Sequence, residues 1–497
     1  MLLRNSLWNL AGSALPSVAA LVTVPLLVGA LSTEGYGIVT MMASIVGYFG
    51  IIDINLSAGS IKYLAENHAS GEKERFAETF WFGMLFYSLL GIVGAVSIFL
   101  FSKQLVGYFF DLSSSMRDST ILALEISALG FALSQIQNYL LIIPQALQHY
   151  NRSAQSEAFF GILTNVVSVI AALAGGGVVG VMAARVFVSA LNSLYLTWLI
   201  RQFDIDLSFR WPGKEIRSAL TSFSAYSYLS KLASTFHQHG DKLIVGAIAG
   251  PVALTYYTVP VTLAGRILGL TYRLSSVIYP RVSELAASKR MSELRPLYLT
   301  ATKHISFINL AALGVIILAG DEFLRRWVGE SFVQQGYPVL VLMTFAILID
   351  SLTNIPSLVN DALGHPKITG GFALSRGILG IALVYLGAAK FGIEGAAAAH
   401  LTSAIVLTTL FLVYVHGRTI PLSFNESIRR GWGPSFAVGL LIFGCMILFK
   451  WFIPSGLLST VIMVLVSLLT LGLAGLAFIV SSEERAALLK VVQRFYY

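Results

Sequence analysis

Charge is what this sequence has least of. Asp, Glu, Lys and Arg make up 12% of its 497 residues, against 56% hydrophobic residues. The mean hydropathy is +0.77. Soluble domains carry about 25% charged residues, so a water-soluble fold is excluded. Cysteine is nearly absent: Cys445 stands alone in an apolar run, which excludes disulfides and metal-thiolate sites. The eight histidines offer no metal-ligand pattern. His237 and His239 lie at i and i+2, on different sides of a helix. No secretory leader is visible, because MLLRNSLWNL runs directly into the first apolar stretch without a small-residue cleavage pattern. Long polar loops are missing too. On the less basic side of the membrane the longest loops, near 102–119 and 320–336, are too short for a catalytic domain, which disfavours an enzyme.

What the chain has instead is apolar runs of about 20 residues, each long enough to cross roughly 30 Å of hydrocarbon. Fourteen spans are expected, at 9–31, 36–61, 77–101, 121–146, 158–175, 178–200, 220–248, 254–280, 301–319, 337–361, 368–389, 394–416, 434–453 and 457–480. The fold class is an all-α polytopic membrane protein. Of the 33 Lys and Arg residues, 21 fall on one set of loops and ends and 6 on the other. By the positive-inside rule, both termini are then cytoplasmic in a plasma (cell inner) membrane. This placement accounts for the net charge of +8 without nucleic acid.

The chain repeats itself. LLVGAL at 26–31 matches LIVGAI at 243–248, ALQHYNR at 146–152 resembles ALGHPK at 362–367, and GVVGVMAAR at 177–185 resembles GIEGAAAAH at 392–400. All three pairs keep nearly one offset. A unit of six spans is even, so the halves share an orientation: two parallel six-helix lobes, a transporter architecture. The expected organisation is an N-terminal lobe at 1–202, a cytoplasmic linker at 203–219, a C-terminal lobe at 220–417, two extra helices within 418–480 and a cytoplasmic tail at 481–497.

Six basic residues fall inside spans: Arg185, Lys231, Lys242, Arg266, Arg273 and Arg376. Each costs at least ~2.5–3.5 kcal/mol at mid-bilayer, so lipid-facing positions are disfavoured. Lys231, Thr235, Gln238 and Lys242 follow i, i+4, i+7, i+11, which predicts one polar stripe. Thr255, Thr258, Thr262, Arg266 and Arg273 make another on the next span, across a turn at Gly250-Pro251. Two such helices can line a cationic cavity suited to an anionic substrate, since the arginine fork matches phosphate oxygens. Asp53, Asp241 and Asp350 are acids within spans, with a role in ion coupling or in structural pairs. No cofactor or metal is expected. Pro16, Pro25, Pro144, Pro280 and Pro356 mark bends, as hinges or as static kinks.

NSLWNLAGSALPSVAALVTVPLLVGALSTEGYGIVTM, followed by GYFGIIDINLSAGSIKYLAE, resembles the start of the O-antigen flippase family, the polysaccharide transporter branch of the multidrug/oligosaccharidyl-lipid/polysaccharide exporters. The matching residues are Asn9, Leu10, Pro16, Pro25, Tyr36, Gly37 and Asp53. DKLIVGAIAGPVALTYYTVP resembles the family's span 7–8 signature through Asp241, Gly246 and Tyr257, and FGIEGAAAA its span 12 opening. Asn55 stands where the family has Gly, and Pro251 interrupts its Gly-rich turn. The resemblance covers about the first 420 residues. It implies a flippase for undecaprenyl-diphosphate-linked oligosaccharides, working by alternating access. Membrane lipid, a polysaccharide polymerase and a chain-length regulator are then the expected partners. The competing readings are a multidrug/organic-cation exporter of the same superfamily, a lipid II flippase and a membrane enzyme.

Overall fold

The computed structural model describes the backbone of residues 2–109, 112, 114–276, 278–288, 290–452, 456–482 and 484–486. All regular structure among them is helical. Eleven of these helices are long and apolar enough to cross a membrane. Three of the eleven contain a residue with non-helical backbone: Ser32 in α1 (Leu2–Tyr48), Gly250 in α9 (Asp241–Ser276) and Gly392 in α15 (Pro366–Arg418). Each falls in a gap between expected spans.

The chain divides into two compact units. The first comprises Met1–Thr258 and Ala388–Ile393, the second Val259–Gly387 and Glu394–Tyr497. In the first unit, α1 leads through a 3-10 turn (Phe49–Ile52) into α2 (Leu56–Ser70) and α3 (Lys73–Leu100). After α4 (Ser102–Phe109) come α5 (Ser114–Ala146), α6 (Tyr150–Leu173), α7 (Gly177–Ile200) and α8 (Lys214–Thr235). A π-helical turn (Phe236–Gly240) then opens into α9. Here α1 packs on α6, α3 on α5, and α5 on α7.

Of these, α3 is apolar on both its inner and its outer face. On α3, Leu89, Ile92, Val96 and Leu100 form an exposed stripe, while Phe80, Gly83, Tyr87, Gly94 and Ile98 face inward. Burial of apolar surface does not drive association between helices already in lipid, so close packing at small residues must. Gly83 lies against the Tyr139 ring and Gly94 against Phe131, each with no room for a Cβ. Tyr139 stacks on Tyr87, with ring centres 5.5 Å apart, and donates its hydroxyl to the Thr79 carbonyl at 3.1 Å.

In the second unit α10 (Tyr279–Ala287) precedes the long α11 (Met291–Trp327), which leads through α12 (Glu330–Gln335) to α13 (Tyr337–Ser351) and α14 (Asn354–Ala362). The break between α13 and α14 follows from Pro356, which has no N–H for the Leu352 carbonyl four residues before it. Past α15, α16 (Phe424–Glu426) and a π turn (Ser427–Trp432) lead to α17 (Gly433–Lys450) and α18 (Leu457–Ala474). Both last helices dock on α11: Phe443 fills the space over Gly314, and Lys450 pairs with Asp321 at 2.9 Å.

Candidate functional site

Two of the three expected acids, Asp53 and Asp350, sit at breaks in membrane helices, and Asp241 follows a π turn. Asp53 follows the 3-10 turn with extended backbone, and Asn55 beyond it is left-handed, at φ 59° and ψ 43°. Glycine and asparagine are the residues that best tolerate this conformation. Asn55 thus meets the same backbone requirement as the glycine of the resembling family. Asp53 accepts the Asn55 N–H at 2.8 Å and the Tyr87 hydroxyl at 3.0 Å. Tyr87 in turn lies 2.8 Å from the Ser57 hydroxyl. On the other side, Lys231 Nζ on α8 is 3.8 Å from Asp53 Oδ2. The carboxylate side chain is 8% exposed and the lysine 37%, so the lysine is the partner that solvent or a ligand can reach. One turn earlier on α8, Tyr228 donates to the Ile51 carbonyl, within the 3-10 turn, at 2.9 Å.

The second acid, Asp241, opens α9 directly after the π turn. It is buried, accepting the Tyr257 hydroxyl at 3.0 Å and the Lys242 N–H at 2.8 Å. Lys242 Nζ reaches Asp241 Oδ1 at 3.3 Å and donates to the Gln238 carbonyl at 2.7 Å. The expected even stripe from Lys231 to Lys242 does not form. A π turn inserts one residue into the helical register, and along it Thr235 is buried while Gln238 is exposed. His239, within the turn, packs its ring where a side chain on Gly47 would otherwise stand. The side chain of His237 lies outside the described residues.

The expected stripe on α9 also separates. Thr255 and Thr258 are buried, Thr262 is intermediate and Arg266 is exposed. Thr255 donates to the Thr33 carbonyl at 2.7 Å, beside the Ser32 interruption. The side chain of Arg273 lies outside the described residues. Arg185 on α7 is half-buried and donates from Nε to Ser168 Oγ on α6 at 3.3 Å.

In the second unit the structure joins Asp350 to Arg376. The guanidinium grips the carboxylate with two prongs, Nε to Oδ1 at 3.2 Å and Nη2 to Oδ2 at 3.0 Å. It also donates to the His400 carbonyl at 3.2 Å and to Ser403 Oγ. Asp350 stands two residues before the break that ends α13, and Thr353 ties that break back to its carbonyl at 2.7 Å. Three of the six expected cations, Lys231, Lys242 and Arg376, thus lie against the three expected acids. Sequence reasoning named the ions but missed their neighbours Tyr87, Tyr228, Ser403 and His400. Each lies within an expected span, so its polar group in apolar sequence was the available signal.

Several motif residues are closely packed, while the side chains of Asn9 and Leu10 lie outside the described residues. A Cβ on Gly37 would lie 1.9 Å from the Pro251 carbonyl oxygen, and one on Gly246 would lie 2.4 Å from Met41 Sδ. Pro16 closes over Gly161 in the same way.

Comparison with known proteins agrees with this fold. A Shigella flexneri protein named "Putative O-antigen transporter" is 26% identical over 428 residues, covering 84% of this chain and 98% of that one. Among solved structures, "Lipid II flippase MurJ, inward closed conformation" superposes with a TM-score of 0.72 at 14% identity, covering 95% of this chain and 98% of that one. An inward-facing multidrug resistance MATE family transporter of the MOP superfamily gives 0.68 at 15%, covering 82% and 98%. At these identities the structural likeness is one of fold. Residues 2–286 match the family described as "Polysaccharide biosynthesis protein", and the chain belongs to that family.

Proposed function

We propose that this protein is a flippase that moves an undecaprenyl-diphosphate-linked oligosaccharide, the repeat unit of a surface polysaccharide, from the cytoplasmic to the outer leaflet. Family membership and the O-antigen transporter relative support transport of a lipid-linked glycan rather than catalysis. Counting each of the three interrupted helices as two spans supports fourteen crossings. Fourteen crossings together with the uneven loop charge support cytoplasmic termini.

The observation that carries the reading is the state of the embedded charges. Lys231 is held by an aspartate at a helix break and Lys242 by one at a π turn, and each cation is more accessible than its acid. A charge pair costs desolvation energy that a static apolar contact would not. Pairs whose cation can be reached are suited to exchange: a diphosphate takes the lysine, and the aspartate takes a proton or cation in return. Arg266, exposed on α9, is assigned to the same substrate. Arg185, Arg273 and Arg376 stay on the list of substrate residues, with Arg376 committed to Asp350 in this conformation. With the cytoplasm negative, outward movement of an anion is favoured by about 2.3 kcal/mol per charge per 100 mV.

Complementation of a strain lacking its own repeat-unit flippase tests this, reading surface polysaccharide and membrane protein level together. Arg266→Ala is expected to abolish export at normal protein level. Arg266→Lys should restore part of it, since lysine keeps the charge and loses the fork. Tags at 70, 210, 290 and 425 should report the cytoplasm, and tags at 112 and 328 the outside. Normal export by a well-expressed Arg266→Ala variant would sink the assignment.

A further inference from the structure

In the second unit, the end of α13, the later part of α15 and the π turn after α16 enclose a cavity of about 210 Å³. Leu352, Ile405, Leu412, Ile428 and Trp432 supply most of its wall. Its hydroxyls are those of Thr408 and Thr409, and Thr408 directs its own toward Asp350 Oδ1 at 3.5 Å. The rest of the wall is apolar side chain. The occupant is therefore apolar.

The mouth of the cavity indicates where the occupant comes from. Ile405 and Ile428 are 48% and 42% exposed, and Val406, Leu410 and Val413 continue the exposed apolar surface along α15. That surface faces lipid in a membrane protein. The turn that carries Ile428 and Trp432 also carries Arg429 and Arg430, both exposed. Arg295 approaches the same turn through Glu426, and Arg418 ends α15. Arg295 and Arg430 share Glu426, Arg430 at 3.8 Å, and Arg429 beside them leaves the turn net positive, so an apolar chain entering here would bring an anionic head with it.

We propose that this cavity binds one acyl chain of an anionic phospholipid, with its phosphate held by Arg429 and Arg430. The seated chain lies against the Thr408 wall and keeps water from the Asp350–Arg376 pair behind it. The proposal rests on the membrane reading of the chain and not on its substrate, so it is tested by binding alone.

The experiment uses the purified full-length protein in detergent, titrated with phosphatidylglycerol brominated on its acyl chains, or with phosphatidylcholine of the same chains. Bromine quenches tryptophan, and the Trp432 component is the difference between wild type and Trp432→Phe. Quenching of that component is expected at about tenfold lower concentration of phosphatidylglycerol than of phosphatidylcholine, the order set by two cationic contacts. Arg429→Gln with Arg430→Gln should remove the preference. Thr409→Phe, which fills the cavity from an exposed position, should remove the Trp432 component while the melting temperature holds. Equal quenching by the two lipids would overturn the proposal. So would displacement by undecaprenyl phosphate at lower concentration than by unlabelled phosphatidylglycerol, which would give the cavity to the carried substrate.

Discussion

Gln148 and Gly364, 216 residues apart, share one left-handed backbone conformation, with φ of +63° and +92°. The bonds around them correspond as well. The His149 N–H donates to the Pro144 carbonyl at 2.7 Å, and the His365 N–H to the Asn360 carbonyl at 3.1 Å, each closing a helix end across five residues. A second pair behaves alike: Gly177 and Gly392 lie at φ +57° and +61°. Two of the three short sequence matches therefore coincide with paired positive-φ positions. This supports a duplication more directly than composition does, because glycine and alanine are common in any membrane helix.

A stability difference follows at the first pair. A non-glycine residue in the left-handed region costs roughly 1–2 kcal/mol. Gly364→Gln should therefore lower stability by up to about 1 kcal/mol, the strain less the chain entropy that glutamine removes from the unfolded state. Gln148→Gly should change little, because the relief of strain is offset by about 0.5–1 kcal/mol of extra chain entropy in the unfolded state. Thermal melting of both variants in detergent checks this. A Gly364→Gln protein that melts like wild type would show that the reversal is not needed there.

Tyr87 separates a supporting role from a coupling role for Asp53. Tyr87→Phe removes one hydrogen bond to the carboxylate, worth about 1 kcal/mol, and leaves the charge and Lys231 in place. Export should persist at reduced protein level. Asp53→Asn should instead remove the dependence of export on the ion gradient at near-normal level, since asparagine still accepts from Tyr87 and Asn55. Both variants losing only protein level would make Asp53 structural.

The membrane helices were legible because each is apolar over a length that water cannot accommodate. The three interruptions were legible from breaks in those runs, as at Gly250-Pro251. The register of α8 into α9 was not. Residues 236–240 read as ordinary helix in sequence, yet they form a π turn in which the His239 ring packs over Gly47. The ions themselves stood out as isolated charges in apolar sequence. Their pairing did not, because nothing in local periodicity connects Lys231 to Asp53 or Arg376 to Asp350.

The Asp350–Arg376 pair should behave as a unit. Removing one partner of a fully buried pair costs about 3–5 kcal/mol and replacing both is close to neutral; Asp350 is 33% exposed, so here the loss of one partner should cost less than that range. Arg376→Ala should accumulate poorly, and Arg376→Ala with Asp350→Ala should recover the level. Arg376→Lys should fall between, since lysine cannot grip both carboxylate oxygens. Failure of the double variant to recover would show that the His400 and Ser403 contacts carry the fold at this point.

Outside the spans, Arg281 donates to both oxygens of Glu284 at 2.8 Å, and Arg290 reaches Glu284 and Glu293 at 3.0 and 3.1 Å. The Arg281 guanidinium holds the Glu284 carboxyl below its usual range. Since the folded form is depressed, this contribution is complete above the ordinary glutamate range and is lost as pH falls through the folded value. Wild type should therefore exceed Glu284→Gln in melting temperature at neutral pH, and the gap should close on acidification and in high salt. A gap that widens in acid would reverse the sign of the coupling.

Gly37 gives the sharpest packing test, because its neighbour is backbone and cannot rotate away. A Cβ there would stand 1.9 Å from the Pro251 carbonyl oxygen and 2.8 Å from Thr255 Oγ1, while Thr255 is already tied to the Thr33 carbonyl. Even a methyl group must push α1 from the start of the helix at Pro251 and loosen that bond. Overpacking of this kind costs about 1–3 kcal/mol. Gly29, eight residues earlier in α1, has nothing within 4 Å of its would-be Cβ. There Gly29→Ala should be neutral or should gain up to about 1 kcal/mol of helix propensity. Gly37→Ala should lower the melting temperature while Gly29→Ala holds or raises it. If Gly37→Ala melts with wild type, the close approach of Gly37 to Pro251 does not belong to the conformation that dominates in solution.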